Sequence, residues 1–180
     1  MSVTAFDADR FSALPLIAIL RGQSAGVIEP LVHSLFDGGF RFLEITMNSP
    51  GAAAQIRTAI VHARDRMSVG AGTVTTLSEL DEAENAGACF IVTPVVVPTV
   101  IIECVRRGLP VFPGAFTPSE VHHAHQLGAT MVKLFPAHRL GPCLRLQPAL
   151  LPPQACSTSR KVATISDSKA KKCARCRSSR

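Results

Sequence analysis

Six short apolar runs recur through the first 136 residues: LIAIL (16–20), FLEITM (42–47), MSVGAG (67–72), CFIVTP (89–94), PVFPG (110–114) and MVKLFP (131–136). Their starts lie 26, 25, 22, 21 and 21 residues apart. Helix-like segments separate them. GVIEPLVHSLFDGG follows the first run, and LSELDEAENAGA follows the third, with acids early and Gly87 near its end, as helix termini prefer. TPSEVHHAHQLGA is punctuated in the same way: Thr117 as N-cap, Pro118 at the first helical position, Glu120 three residues after the cap and Gly128 as the stop. Strands alternating with helices imply βα units around a parallel sheet, hence the α/β class. The tight spacing favours a TIM-type (β/α)₈ barrel over a doubly wound sheet.

The rhythm then breaks. A full barrel needs two more units after residue 136, and the remaining 44 residues do not read as βα units. Residues 1–137 hold 9 Lys+Arg against 12 Asp+Glu, whereas residues 138–180 hold 10 Lys+Arg against Asp167 alone. The composition turns to Ser, Lys, Arg and Cys within a few residues of LGPC (140–143), and VATI (162–165) is the one plausible strand there. The expected organisation is an incomplete barrel of about six βα units over residues 1–142, with strands 7 and 8 missing or non-native. A basic tail over 143–180 is expected to be disordered. The opening MSVTAFDADRF carries acids and no long apolar run, and no stretch of about 18 apolar residues follows, so neither a secretory signal nor a membrane span is expected. The default location is the cytoplasm.

Several tempting features carry little. The basic tail could meet nucleic-acid phosphates, but all nine Phe precede residue 137 and Trp and Tyr are absent, so stacking recognition is not expected. Cys173 and Cys176 form C-x-x-C with only Cys156 nearby, which is short of a four-ligand zinc site. His122, His123 and His125 put two rings on one helix face and read as a surface helix. No metal is expected.

Chemistry concentrates elsewhere. Alternation along FLEITM puts Phe42, Glu44 and Thr46 on one face and the apolar Leu43, Ile45 and Met47 on the other. The second set suits the helix layer, so Glu44 should point into the barrel. Lys133 is the only lysine in the first 137 residues, and Met131, Lys133 and Phe135 share a face, so Lys133 can point inward as well. Burial disfavours a charged lysine, and a neutral amine attacks carbonyls. Glu44 and Lys133 could equally form a structural ion pair. Arg21 ends the first strand, at the mouth where barrel sites sit, and its fork suits a carboxylate or phosphate. Thr73 offers a hydroxyl at the end of the third, and the small residues of VGAGT could admit a ligand close to the backbone.

ILRG, LEITMNSP, VGAGTV, FIVTP, FPGAFTPSE and MVKLFPA, in this order, resemble the class I aldolase family that cleaves 2-keto-3-deoxy-6-phospho sugar acids into pyruvate and glyceraldehyde 3-phosphate. The likeness runs over residues 12–142. It implies a TIM barrel, a homotrimer, no metal and no cofactor. It assigns Lys133 as the Schiff-base lysine, Glu44 as the general acid/base, and Arg21 and Thr73 to the substrate site near the pyruvate carboxylate. Asn48 in MNSP and the segment PLIAILRG resemble the galactonate-type members first, with the gluconate or 4-hydroxy-2-oxoglutarate type as the alternative. In this family a glycine pair after the seventh strand and a Gly-Ser turn after the eighth hold the substrate phosphate, and neither motif occurs here. An out-of-frame ending would account for the change, and the expectation is an unstable chain with little aldolase activity. Intact Glu44, Lys133 and Arg21 argue against a long-dead paralogue.

Overall fold

The computed structural model describes residues 6–136 and the backbone of Ala163–Thr164. A short helix, α1 (Ala8–Ala13), leads into β1 (Ile17–Leu20). Then come α2 (Ile28–Asp37), β2 (Phe42–Thr46), α3 (Ala52–Ala63), β3 (Ser68–Gly72), α4 (Leu77–Asn85), β4 (Ile91–Thr93), α5 (Pro98–Arg106), β5 (Val111–Ala115), α6 (Pro118–Gln126), β6 (Lys133–Leu134) and β7 (Ala163–Thr164). Every strand pair is parallel, in the order β6-β5-β4-β3-β2-β1-β7. The six expected strands are all present, and the α/β reading of an incomplete TIM-type barrel holds. VATI supplies the seventh strand: Ala163 and Thr164 lie beside Ala18 and Ile19 of β1. The rest of the basic tail, including Cys156, Cys173, Cys176 and the expected disorder, falls outside the described residues. Among the described residues no helix is long and apolar enough to cross a membrane.

Helix boundaries follow local chemistry. Thr76 and Thr117 cap α4 and α6, and Glu79 and Glu120 return the bond to the cap backbone, so both helices start with a full capping box. Such caps are worth about 1 kcal/mol each. The N–H groups of Thr117 and Phe116 hold the Glu120 carboxyl below the usual carboxylate range. Gly128 follows α6 at φ +88, a left-handed turn that an L side chain resists.

The strand pleat sorts the core into two layers. Leu43, Ile45, Ile56, Leu80 and Ile101 fill the space between sheet and helices. Ile17, Phe42, Phe90, Val92 and Phe112 form a second cluster with Phe11, on the concave side. Both layers remove apolar area from water, at about 25 cal/mol per Å². β6 is shorter than MVKLFP promised. Register pairing with β5 is confined to Lys133 and Leu134; ahead of it, the Thr130 N–H donates to the Val111 carbonyl at 3.0 Å and the Thr130 hydroxyl accepts the Val111 N–H at 3.1 Å.

Candidate active site

Glu44 lies on the concave face. Parallel register sets it beside Ile19 of β1 and Gly70 of β3. It is 3% exposed. Room for it comes from Gly72: a Cβ built there would overlap the Glu44 carboxylate. Gly70 makes space in the same way, because a Cβ there would lie 2.5 Å from the Phe90 ring. The small residues of VGAGT therefore admit protein side chains, where the sequence suggested a ligand. Burial pushes the Glu44 carboxyl above its ordinary pKa of 4.5, and the charges of Lys133 and Arg21 pull the other way without cancelling it.

Lys133 opens β6 opposite Gly114 of β5. Its Nζ lies 5.2 Å from the centre of the Phe135 ring. Its charge reaches Glu44, so the structure brings the two groups into one electrostatic neighbourhood across the concave side. Lys133 is half-buried, less dry than the sequence suggested. Among the described residues β6 pairs with β5 alone.

Arg21 and Thr73 meet at the strand ends. The Arg21 guanidinium donates to Thr73 Oγ1 at 3.1 Å, and Arg21 is exposed. The guanidinium fork carries five donors, of which this bond uses one. Thr73 adopts φ +58, a left-handed conformation that costs a β-branched residue about 1–2 kcal/mol. The next residue is locked into the sheet by the Val74 N–H to Val92 carbonyl bond, 3.3 Å, so strain is held where the Thr73 hydroxyl faces the arginine.

A polar support beneath Arg21 escaped the sequence reading. The Gly22 N–H donates to Ser49 Oγ at 2.9 Å, and Ser49 Oγ lies 3.0 Å from Thr46 Oγ1. Gln55, 3% exposed, donates to the carbonyls of Gln23 and Pro50 at 2.9 and 3.0 Å. The loops after β1 and β2 are thereby pinned together. Two polar residues, Ser49 in the turn after β2 and Gln55 in the first turn of α3, hold them. Their burial was the missing signal, and burial belongs to the fold.

Other nucleophiles are muted. Cys89 and Cys104 are buried free thiols, with burial pushing their pKa values to about 11 and about 12. His122, His123 and His125 lie along α6 and join no metal-holding group among the described residues.

The family profile of KDPG and KHG aldolase matches residues 8–155. The chain belongs to the KDPG and KHG aldolase family. The match contains all four expected site residues, Arg21, Glu44, Thr73 and Lys133. A probable 2-dehydro-3-deoxy-6-phosphogalactonate aldolase of Rhizobium meliloti is 41% identical over 128 residues, 71% of this chain and 60% of the relative. A 2-dehydro-3-deoxy-phosphogluconate aldolase of Treponema pallidum is 35% identical over 140 residues, 77% of this chain and 65% of the relative. The crystal structure of the Legionella pneumophila KDPG aldolase, with pyruvate captured as a covalent carbinolamine, superposes with a TM-score of 0.67 at 30% identity, covering 73% of this chain and 64% of the other. This KDPG and KHG aldolase family chain thus spans 60–65% of the length of these two curated relatives.

Proposed function

We propose that this chain carries a Schiff-base aldolase site that takes a 2-keto-3-deoxy-6-phospho sugar acid and releases pyruvate and glyceraldehyde 3-phosphate. The supporting observation is a buried Glu44, its carboxyl pushed up by burial, within electrostatic reach of Lys133, the only lysine of residues 1–137. Lys133 Nζ adds to the C2 ketone, giving a carbinolamine. Glu44 donates a proton to the departing hydroxyl, which leaves as water, and an iminium forms. The iminium draws the electron pair of the C3–C4 bond as the C4 hydroxyl gives up its proton, so the aldehyde departs and an enamine remains. Protonation at C3 and addition of water release pyruvate and free the lysine. Burial suits Glu44 to this work, because a raised pKa brings its proton affinity closer to neutral pH. Arg21, oriented by Thr73, would bind the substrate carboxylate.

The galactonate epimer is the preferred substrate in this reading. Asn48 in MNSP supports it, as does the 41% identity to the Rhizobium meliloti relative. Relatives named for the gluconate epimer keep that substrate as the alternative. Borohydride reduction in the presence of pyruvate tests the chemistry without requiring the phosphate half of the substrate. Pyruvate-dependent labelling of the Lys133 peptide is the expected result; a folded sample that stays unlabelled would overturn the reading. Turnover of the two phosphorylated epimers by a chain with a repaired C-terminus then decides between them.

A further inference from the structure

Away from the concave side, Glu29 and His33 on α2 and His62 in the last turn of α3 converge on the outer helix layer. Their ligand atoms all lie within 4.8 Å of one another. His62 Nδ1 faces Glu29 Oε1 at 3.6 Å, and the His33 and His62 rings stand edge to face, 6.0 Å apart. Glu29 and His33 are exposed and His62 is half-buried, so all three can turn without disturbing the core.

We propose that Glu29, His33 and His62 form a surface site for a divalent zinc-type cation that ties α2 to α3. Two imidazoles and one carboxylate make a three-ligand set that zinc accepts, with water completing a tetrahedron. Zinc–ligand bonds of about 2.0–2.1 Å put ligand atoms about 3.3 Å apart. The Glu29–His62 separation is nearly there already, and the rest needs about 1.5 Å of closure at most, within reach of exposed side-chain rotation. Glu29 and His33 are four residues apart, so both project from one face of α2. The carbonyl end of α3 adds partial negative charge beside His62. Arg66, four residues after His62, is engaged elsewhere: it donates to the His62 carbonyl and its guanidinium lies 4.5 Å from the centre of the Phe36 ring. A plain surface ion pair would need Glu29 and one histidine, and leaves the second imidazole unaccounted for.

Zinc titration by calorimetry tests this on the full-length chain carrying Cys173→Ser and Cys176→Ser, so that the C-x-x-C pair cannot compete. One ion per chain is expected. His33→Ala and His62→Ala should each weaken binding at least about tenfold, with Glu29→Gln giving a smaller loss. Zinc should also raise the melting temperature, because the ion binds only where the helices are packed, and His62→Ala should remove that rise. The substituted side chains lie on the helix exterior, and circular dichroism would confirm retained helix content. Absence of zinc binding at 100-fold excess over protein, or an isotherm unchanged by both histidine substitutions, overturns the site.

Discussion

The two ends of the concave side are built on opposite principles. At the N-terminal ends of the strands, Phe42, Phe90 and Phe112 pack with Phe6 and Phe11 from the leading segment, ring centres 5.0 to 6.3 Å apart. Farther along the strands lie a buried carboxyl at the middle of β2, a half-buried lysine level with Gly114 of β5, and, past the ends of β1 and β3, an arginine and a strained threonine. One strand serves both: Phe42 and Glu44 are two residues apart on the same face of β2. The first end lowers the free energy of the fold by removing aromatic surface from water. The second raises it, because a buried carboxyl and a left-handed threonine both cost free energy. Aromatic packing at one end offsets the destabilised groups at the other.

Substitutions should separate the two ends. Lys133→Ala is expected to abolish pyruvate-dependent borohydride labelling and cut turnover by about 10³-fold or more while leaving the melting temperature nearly unchanged, since the side chain is half-buried. A matching loss of fold in thermal melts would refute the division.

Glu44→Gln should lower kcat by about 10²–10⁴-fold. It should nonetheless stabilise the fold at neutral pH. The folded-state pKa of Glu44 is raised above its ordinary 4.5, so below that value both folded and unfolded chains hold the proton. As pH rises past 4.5 the unfolded chain releases its proton first and wild-type stability falls, until the folded pKa is passed. The glutamine variant lacks this fall. Denaturant titrations at pH 4 and pH 8 should therefore show a gain for Glu44→Gln only at the higher pH, and equal gains at both would contradict the assignment.

At the other end, Phe42→Ala should cost about 3–5 kcal/mol of stability by opening a cavity among five rings. Urea midpoints measure it, and a loss below 1 kcal/mol would show that the aromatic cluster is not the anchor. Gly72→Ala probes the boundary between the ends. The new methyl overlaps Glu44, so about 1–3 kcal/mol of stability and much of the activity should go together, although no reacting group is altered. Thr73→Gly is the mildest. Relief of the φ +58 strain and the added freedom of the unfolded chain oppose each other, so stability should shift by less than about 1 kcal/mol. KM should rise through the lost Arg21 partner.

Much of this was readable in advance, for identifiable reasons. Strand periodicity set Glu44 opposite to Leu43 and Ile45, because a pleat admits two faces and only one was fully apolar. Thr117, Pro118, Glu120 and Gly128 bracket α6 where the sequence put them, because capping is local chemistry. Other features depend on groups distant in the chain. Gly72 reads as room for a ligand until β2 is laid beside it and the Glu44 side chain crosses it. Ser49 and Gln55 became loop pins only when the β1 and β2 loops met. Glu29 and His62 are 33 residues apart and gave no motif.

By itself, the order of apolar runs, caps and turn residues determined six parallel strands, the side of β2 on which Glu44 lies, and membership of an aldolase family. Those properties rest on short-range periodicity and on residue types in fixed order. Tertiary structure alone decided how far Lys133 is shielded, that Thr73 is strained against Arg21, and which way the Glu44 proton affinity moves. Desolvation and charge coupling depend on atoms brought close by folding, and separation along the chain carries no record of distance in space.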